Sequence, residues 1–160
     1  MPTEPAGRPT LPEVRVAAPA DLDAATLYAL LRLRVDVFVV EQECPYPELD
    51  GRDLEPGTRH LWTGEGPAVS AYLRLLDDPG GDVRIGRVCT APAHRGRGLA
   101  DLLVRTAVRL AADRPVVLDA QAHLEHWYAG RGFTRAGQPF VEDGIPHVPM
   151  RRPAGGHADP

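Results

Sequence analysis

The sequence predicts a mixed α/β fold in one chain of 160 residues, with a central sheet flanked by helices. Segments with strand and helix patterns follow one another without internal repeats or an interior linker, as expected for a single domain of this length. Three strand candidates in succession predict an antiparallel meander. The clearest helical pattern then lies between two further strand candidates, which predicts a right-handed crossover and a parallel strand pair.

The first part of the chain predicts one short strand and one helix. Residues 14–17 form the strand candidate, and Asp21 or Asp23 can cap the helix that follows. Helical spacing places four apolar side chains on one face: Leu27, Leu30, Leu31 and Val35. We expect residues 38–40 to continue the helix and the prolines of Cys44-Pro45-Tyr46-Pro47 to end it.

The middle of the chain predicts the three antiparallel strands. Residues 60–63 and 68–76 are separated by the turn Gly64-Glu65-Gly66. Asp77-Asp78-Pro79-Gly80-Gly81 is a strong turn signal before the next strand, at 83–89. Turns this short join neighbouring strands in antiparallel order.

The remaining elements follow a glycine-rich loop. The helix after the loop has the apolar face Leu99, Leu102, Leu103, Thr106, Ala107 and Leu110. Pro115 ends the connection to a short buried strand at 116–118, and a short helix is predicted over 123–131. A final hairpin is predicted over residues 140–150, with its turn at Glu142-Asp143-Gly144.

Composition limits the partners and the location that we expect. The net charge is −4, and a nucleic-acid surface needs clustered positive charge, so no nucleic-acid partner is expected. No stretch is long enough to cross a membrane and the N-terminus is not a signal peptide, which predicts a cytoplasmic protein with reduced Cys44 and Cys89. We expect residues 13–152 to form the domain, and residues 1–12 and 153–160 to be flexible tails.

The segment 89–100 predicts a phosphate-binding loop. Gly96 and Gly98 leave backbone N–H groups open to a ligand at the start of a helix, and Arg95 and Arg97 add positive charge. That combination suits a diphosphate. The structural alternative is a plain strand-to-helix turn that uses glycine only for its geometry.

Three kinds of nucleotide site compete for this loop. A P-loop needs a lysine after its glycine, and the chain contains no lysine, so this kind is excluded. A dinucleotide fingerprint is opposed by Asp101 at the position of its third small residue, by the long spacer 90–95, and by the lack of repeated βαβ units. The third kind is a site for an acyl-CoA.

The loop and a second motif together resemble the GCN5-related N-acetyltransferase (GNAT) superfamily. Residues 95–100 match the pattern Arg/Gln-x-x-Gly-x-Gly/Ala, and residues 88–92 resemble the strand and turn before it. Trp127-Tyr128-Ala129-Gly130-Arg131-Gly132-Phe133 resembles the family's Tyr-x-x-x-Gly-Phe. The resemblance covers residues 14–152 and implies a mixed sheet of about six to seven strands, splayed at the cofactor site.

Further segments resemble the ElaA-like subfamily of this superfamily, for which the resemblance implies no particular substrate. They are residues 27–34, 37–42, 44–46, 50–51, 121–124 and 142–147.

The resemblance implies that acetyl-CoA lies between two strands. Val88, Cys89 and Thr90 would offer backbone groups to the pantetheine arm and to the thioester carbonyl, and Gln121 would lie near the same arm. The residues that would hold the diphosphate are Arg95, Gly96, Arg97, Gly98, Leu99 and Ala100.

Acyl transfer from a thioester to an amine needs an acid for the departing thiolate and a base for the amine. Tyr128 matches the family's usual general acid, and a phenol is protonated at neutral pH. The alternative is that Tyr128 is a core aromatic, like Trp127. Glu41, His123 and His60 are candidates for the base, and Glu41 is preferred because we expect it to line the acceptor side.

An acidic run beside Tyr46 predicts the acceptor side of the site. Its members are Glu41, Glu43, Glu48, Asp50 and Asp53. If the run rims the acceptor cleft it favours a cationic amine, with Glu41, Tyr46 and His123 as acceptor-binding residues; otherwise it is an ordinary solvated loop. Cys89 is expected to be a core thiol rather than an acyl carrier. His123 and His126 are too weak a pattern to predict a metal site.

We therefore expect an N-acetyltransferase that moves an acetyl group from acetyl-CoA to a primary amine by direct transfer in a ternary complex. One alternative is a non-catalytic acyl-CoA-binding or regulatory module with the same fold, which the intact Tyr128 motif disfavours. The other is an acyltransferase similar to the acyl-homoserine-lactone synthases, suggested by Arg34, Val37-Phe38 and Glu41-Gln42. The sequence leaves open whether the chain forms a homodimer.

Overall fold

The computed structural model describes residues 10–155, which contain eight strands and three α-helices. In chain order they are β1 (Arg15–Ala17), α1 (Ala24–Val35), β2 (Arg59–Glu65), β3 (Ala68–Asp77), β4 (Val83–Thr90), α2 (Leu99–Ala111), β5 (Val116–Gln121), α3 (Glu125–Ala129), β6 (Thr134–Arg135), β7 (Phe140–Glu142) and β8 (Ile145–Arg152). Of the predicted flexible tails, residues 1–9 and 156–160 lie outside the described residues.

All eight strands join one mixed sheet, in the order β1-β2-β3-β4-β5-β8-β6, and β7 pairs with β8. Strands β2 to β4 form the predicted antiparallel meander, to which β1 adds an antiparallel edge strand; β4 and β5 are the parallel pair, and β8 returns antiparallel to β5. The predicted mixed α/β fold is confirmed. The sheet has more strands than expected. Strand β6 was not predicted because it is only two residues long, too short to show an alternating pattern.

One face of the sheet packs against α2 and forms the larger core. Leu103, Val104 and Ala107 are fully buried there. The predicted apolar face is wrong at its end, because Leu110 is 50% exposed and Ala111 is buried instead. Both positions lie about one turn after Ala107, so local spacing allows either, and only the packing against the sheet selects between them.

The other face of the sheet packs against α1. Asp23 caps this helix, since its carboxylate accepts a hydrogen bond from the Thr26 N–H at 2.7 Å, and the second of the two predicted caps is therefore correct. The buried residues of α1 are Ala29, Leu30, Leu33 and Arg34. Of the predicted face only Leu30 is among them, because a buried charged residue, Arg34, interrupts the apolar pattern.

Helix α1 continues into one π-helical turn, Asp36–Glu41. The Gln42 N–H bonds to the Val37 carbonyl, five residues back, at 3.2 Å. The chain thus remains helical through residues 38–40, as predicted, and the segment 44–47 then leaves the helix. The wider turn carries the Glu41 side chain toward the end of β4.

Candidate active site

Strands β4 and β5 separate after a short stretch of parallel pairing. The pairing ends at Arg84 and Val117, and no later residues of these strands pair with each other within the described chain. The strand ends, at Thr90 and Gln121, are therefore the two sides of an opening in the sheet. The predicted splay is confirmed, and the β5-facing backbone of β4 is free to bond a ligand.

A β-bulge in β4 lies where the two strands separate. Tyr72 of β3 pairs with Cys89 of β4, but Arg74, two residues further along β3, pairs with Gly86, which lies three residues from Cys89. Arg87 and Val88 consequently face one residue of β3, Leu73. Arg87 has a φ of 57°, in the left-handed region, which a bulge can impose on a residue that is not glycine.

The opening leads into a cleft of about 1130 Å³. Pockets for one small molecule typically measure about 300–1000 Å³, so this cleft lies at the upper end of what one large ligand fills. The predicted site residues that line it are Val88, Cys89, Thr90, Arg95, Gly96, Gly98, Leu99, Ala100, Gln121, Tyr128, Glu41, Tyr46 and His123. Arg97 is the exception: it is exposed outside the lining, with its guanidinium 3.4 Å from His94 Nδ1.

The glycine-rich loop borders the cleft at the N-terminus of α2. Gly96 and Gly98 have φ of 76° and 74°, and a Cβ at either position would meet no atom within 4 Å. Gly98 is the N-cap and brings no side chain to the free N–H groups of the first turn. Asp101 in that turn is paired with Arg105 and Arg131, at 2.9 and 2.7 Å. The loop therefore fits a phosphate group.

Arg95 connects this loop to the π-helical turn. Its two terminal nitrogens lie 2.5 and 2.6 Å from the carboxylate oxygens of Glu41, and its Nε donates to the Thr90 carbonyl at 3.1 Å. Hydrogen bonding to Arg95 lowers the pKa of the Glu41 carboxyl. This two-point pair holds the Glu41 carboxylate in its charged form and directs it toward the glycine loop.

Tyr128, on α3, lies at the cleft wall with its ring edge-on to Trp127 and Phe133. The residue is 5% exposed, and burial raises the pKa of its phenol to about 12. Its hydroxyl has no hydrogen-bond partner among residues 10–155, yet it is not sealed from the cleft. Tyr128 is therefore a protonated donor that remains available to a ligand.

Two residues with reactive side chains are buried. Cys89 is 5% exposed and packs in the core beside α1, as expected for a core thiol, and burial raises the pKa of its thiol to about 12. His60 is fully buried, with its ring nitrogens 2.6 Å from the Tyr72 hydroxyl and 3.0 Å from the Asp53 carbonyl oxygen. The prediction that His60 is a candidate base is wrong, because neither nitrogen is free and the side chain lies away from the cleft.

The acidic run is not an ordinary solvated loop. Glu48 and Asp53 are buried, and both bind the fully buried Arg34 of α1, at 2.7 Å from Nε and 2.5 Å from Nη1. Tyr46 donates its hydroxyl hydrogen to the other Glu48 oxygen. A buried guanidinium needs such partners, because an uncompensated charge in the interior is strongly destabilising. The expectation of solvation is therefore wrong for these two carboxylates.

Asp50 extends this network to the cleft. It pairs with Arg74 of β3 at 2.9 Å and with Arg87 of the bulge at 3.4 Å. Arg74 also binds Asp53 at 3.0 Å, and Arg87 binds Glu48. Burial by itself raises the pKa of Asp50, but hydrogen bonds from Arg74 and from the backbone outweigh it and bring the pKa to about 2. Three arginines thus balance three carboxylates at this wall of the cleft.

The remaining wall of the cleft comes from β5, β8 and the turn between β5 and α3. Gln121 donates to Gln42 at 3.3 Å, which joins the end of β5 to the end of the π-helical turn. His123 lies in the 3₁₀ turn Ala122–Leu124, is exposed, and makes no hydrogen bond to a described residue. The short helix predicted there is this turn together with α3. His147 of β8 pairs opposite Gln121 and also lines the cleft.

Sequence patterns did not identify two of the charged or titratable residues at the cleft. His147 ends the segment 142–147 that resembles the subfamily, but no role followed from that; the period-two pattern of β8, in which Val148 and Met150 are buried on the α2 side, places it on the other face. No local signal marks Arg87, because a bulge depends on how a strand pairs with its neighbour.

Two absences are observed within residues 10–155. No group of three or more His, Cys, Asp or Glu side chains there is arranged to hold a metal ion. No helix in the same range is long and apolar enough to span a membrane.

A splayed mixed sheet, a glycine loop at a helix N-terminus and a tyrosine donor in one cleft define an acyltransferase domain of the GNAT class. A family profile described as "Acetyltransferase (GNAT) domain" matches residues 35–153. The chain therefore belongs to the GNAT family and, by the relatives below, to its ElaA-like subfamily.

Relatives of similar length support this assignment. A UPF0039 protein of Mycobacterium tuberculosis is 52% identical over 144 residues, which are 87% of this chain and 92% of that protein. ElaA of Escherichia coli is 42% identical over 139 residues, 83% of this chain and 91% of that protein. The ElaA crystal structure has a TM-score of 0.82 and 38% identity, covering 89% of this chain and 99% of that one. An acyl-CoA N-acyltransferase from Pseudomonas aeruginosa has a TM-score of 0.84 and 46% identity, with the same coverage.

Proposed function

We propose that this protein is a cytoplasmic N-acetyltransferase that moves an acetyl group from acetyl-CoA to a primary amine within a ternary complex. One observation carries the proposal: a single cleft contains free helix N–H groups at the glycine loop and the unbonded hydroxyl of Tyr128. The phosphates and the thioester sulfur of a CoA donor require these two kinds of group.

The donor would lie along the free edge of β4. Val88, Cys89 and Thr90 offer backbone groups that can bond the pantetheine arm as an added strand would, and Gln121 faces the same space from β5. An N–H of Val88 or Cys89 would stabilise the charge that develops on the thioester oxygen. The diphosphate would be held by the loop, with the N–H groups of Leu99 and Ala100 at the helix start and with Arg95 and Arg97 nearby.

The transfer itself needs one new bond and two proton movements. The amine nitrogen attacks the thioester carbonyl carbon, the C–N bond forms, and the C–S bond breaks. Tyr128 donates its phenolic proton to the departing sulfur, which leaves as the thiol of CoA. The amine proton passes to a base, and the tyrosinate is reprotonated through water. Both substrates must be bound together for this direct transfer, and the proposed donor-binding and acceptor-binding residues line one continuous cleft.

The acceptor would enter on the side of the π-helical turn. Glu41, Tyr46 and His123 line this part of the cleft and are the proposed acceptor-binding residues. Glu41 is also a proposed base, provided that the diphosphate draws Arg95 away from it. The Tyr46 ring, 5.8 Å from the guanidinium carbon of Arg87, offers an aromatic face to the carbon chain of an amine.

Release of free CoA, measured with a panel of primary amines, tests the proposal. We expect acetyl-CoA to raise the melting temperature of the protein and at least one amine to release CoA well above the rate of hydrolysis. A thermal shift without turnover on any amine would favour the non-catalytic binding module. A preference for octanoyl-CoA over acetyl-CoA would favour chemistry like that of the acyl-homoserine-lactone synthases. Sedimentation of the same sample tests whether the chain forms a homodimer.

A further inference from the structure

His147 lies at the acceptor side of the cleft on a rigid element. It pairs opposite Gln121 in the antiparallel ladder between β5 and β8. Directly opposite residues point to the same face with Cβ atoms about 5 Å apart, so the imidazole lies beside the Gln121 side chain. Gln121 in turn contacts Gln42 at the end of the π-helical turn. The imidazole thus lies between the proposed pantetheine position at Gln121 and the π-helical turn, where the acceptor amine would enter.

The geometry of the ring determines which nitrogen carries the proton. His147 Nδ1 lies 2.7 Å from the carbonyl oxygen of Ile145. A carbonyl oxygen only accepts hydrogen bonds, so Nδ1 must carry the hydrogen. In the neutral ring Nε2 therefore holds a free lone pair. This nitrogen can accept a proton without any rearrangement of its neighbours.

The same ring is held against rotation. It stacks on Phe140 of β7, with 5.5 Å between the ring centroids and 15° between the planes. Phe140 is also its pairing partner in the β7–β8 ladder. A stacked ring with one nitrogen bonded to the backbone keeps its second nitrogen in one direction, which lowers the ordering cost of proton transfer.

The other candidate bases lack this combination. Glu41 is held by Arg95 unless the donor diphosphate draws that arginine away, and no other contact orients its carboxylate; His60 is buried with both nitrogens occupied. His123 is exposed and has no hydrogen bond within residues 10–155 that would select its tautomer. Only His147 among these residues has an oriented ring and a free lone pair at the cleft.

We infer that His147 is the catalytic base that accepts the proton of the acceptor amine, an inference that rests on the proposed function. As the amine nitrogen bonds to the thioester carbon, its proton moves to His147 Nε2, while Tyr128 protonates the departing sulfur. His147 then returns its proton to water, and water reprotonates Tyr128. The products are one amide and one CoA thiol, with no other reactant required.

Steady-state kinetics with the best amine of the panel test this role. His147→Ala is expected to lower kcat by about 100-fold or more, the usual minimum for loss of a general base. The KM for acetyl-CoA should stay within about twofold, since no part of the glycine loop is changed. His147→Gln, which keeps a polar side chain of similar size, should lose as much activity, and added imidazole should restore part of the activity of His147→Ala. The matched control is His126→Ala, an exposed histidine outside the cleft lining, and it should leave kcat unchanged.

The outcomes separate this inference from the proposed function. A parent protein that acetylates no amine contradicts both. An active parent with kcat of His147→Ala and His147→Gln within about twofold overturns only the role of His147, and a large loss in Glu41→Gln alone would transfer that role to Glu41. Two-bond ¹H–¹⁵N correlation spectra of the labelled parent give an independent test: a protonated Nε2 and bare Nδ1 in the neutral ring overturn the inference, and the reverse tautomer supports it.

Discussion

Arg95 and Glu41 form a two-point ion pair between the glycine loop and the end of the π-helical turn, with both N–O distances at 2.5–2.6 Å. The pair joins the part of the cleft proposed for the donor diphosphate to the part proposed for the acceptor. A diphosphate at the loop would compete with Glu41 for the same guanidinium. Binding of the donor would then leave the Glu41 carboxylate free at the acceptor side.

Glu41→Gln should tighten the binding of CoA by about two- to fivefold, because an exposed ion pair contributes little stability and the substitution removes this competition for Arg95. Isothermal titration calorimetry with CoA at low and moderate salt measures the change. The matched variant Arg95→Ala should weaken CoA binding instead. Weaker binding in Glu41→Gln would contradict the competition.

Tyr128→Phe should lower kcat by about 100-fold or more while the affinity for acetyl-CoA stays the same. The aromatic ring that packs against Trp127 and Phe133 is retained, and only the proton donor is lost. Tyr72→Phe is the control, because this tyrosine is fully buried and bonds to His60 away from the cleft. It should lower stability by about 1 kcal/mol without affecting kcat. Equal turnover in Tyr128→Phe and the parent would remove Tyr128 as the acid.

Gly98→Trp should abolish the thermal shift caused by acetyl-CoA. An indole at the α2 N-cap would occupy the space in front of the free N–H groups, although nothing fills that space in the protein alone. Gly80→Trp is the matched control. Gly80 also has a positive φ, 92°, and a Cβ there also meets open space, but its turn does not line the cleft. Differential scanning fluorimetry should show the full shift in the Gly80 variant. Asparagine tolerates the left-handed conformation, so Gly98→Asn should fold. This variant shows whether the Trp variant loses its thermal shift through blocked binding or through misfolding.

Asp50 should make the free energy of unfolding depend on pH at the acid end. Its pKa falls from 3.8 to about 2 in the folded protein. A depressed carboxyl pKa stabilises the folded state fully above the unfolded value, and this contribution is lost as the pH falls from about 4 toward 2. Because Asp50 is partly exposed, we expect a loss of about 1 kcal/mol.

Urea denaturation at pH 6 and at pH 2 measures this loss in the parent and in Asp50→Asn. The Asn variant should be less stable at pH 6 and should show a smaller difference between the two conditions. Asp113→Asn, at an exposed position, is the matched control and should behave as the parent. An identical pH dependence in the parent and Asp50→Asn would exclude a stabilising role for the Asp50 pairs.

Local patterns sufficed for much of the fold and for the donor side of the site. The glycines at 96 and 98, the arginine before them and the tyrosine motif at 128–133 are short-range features, and the residues proposed to bind the donor all line one cleft except for Arg97. The meander β2 to β4 and the parallel pair of β4 and β5 also followed from turn lengths and from one strong helical repeat, whereas the place of β8 beside β5 did not. The two-residue strand β6 and the exact buried face of α2 did not, since each depends on what packs beside it.

The part of the cleft proposed for the acceptor shows most clearly what local sequence patterns could not predict. The acidic run looked like a solvated loop because its arginine partners, Arg34, Arg74 and Arg87, come from three other elements of the chain. No spacing rule links a carboxylate to a guanidinium so far away in sequence. A buried charge is stable only once its partner is in place, so the network exists only in the folded protein.

The sequence by itself therefore determined the mixed α/β class, the loop suited to a diphosphate and the family, because turns, caps and glycine geometry act over a few residues. The tertiary structure alone decided the bulge at Arg87, the pairing of Arg95 with Glu41 and the free nitrogen of His147. Each of these depends on a partner supplied by a distant segment. Strand register and side-chain pairing are set only when those segments meet.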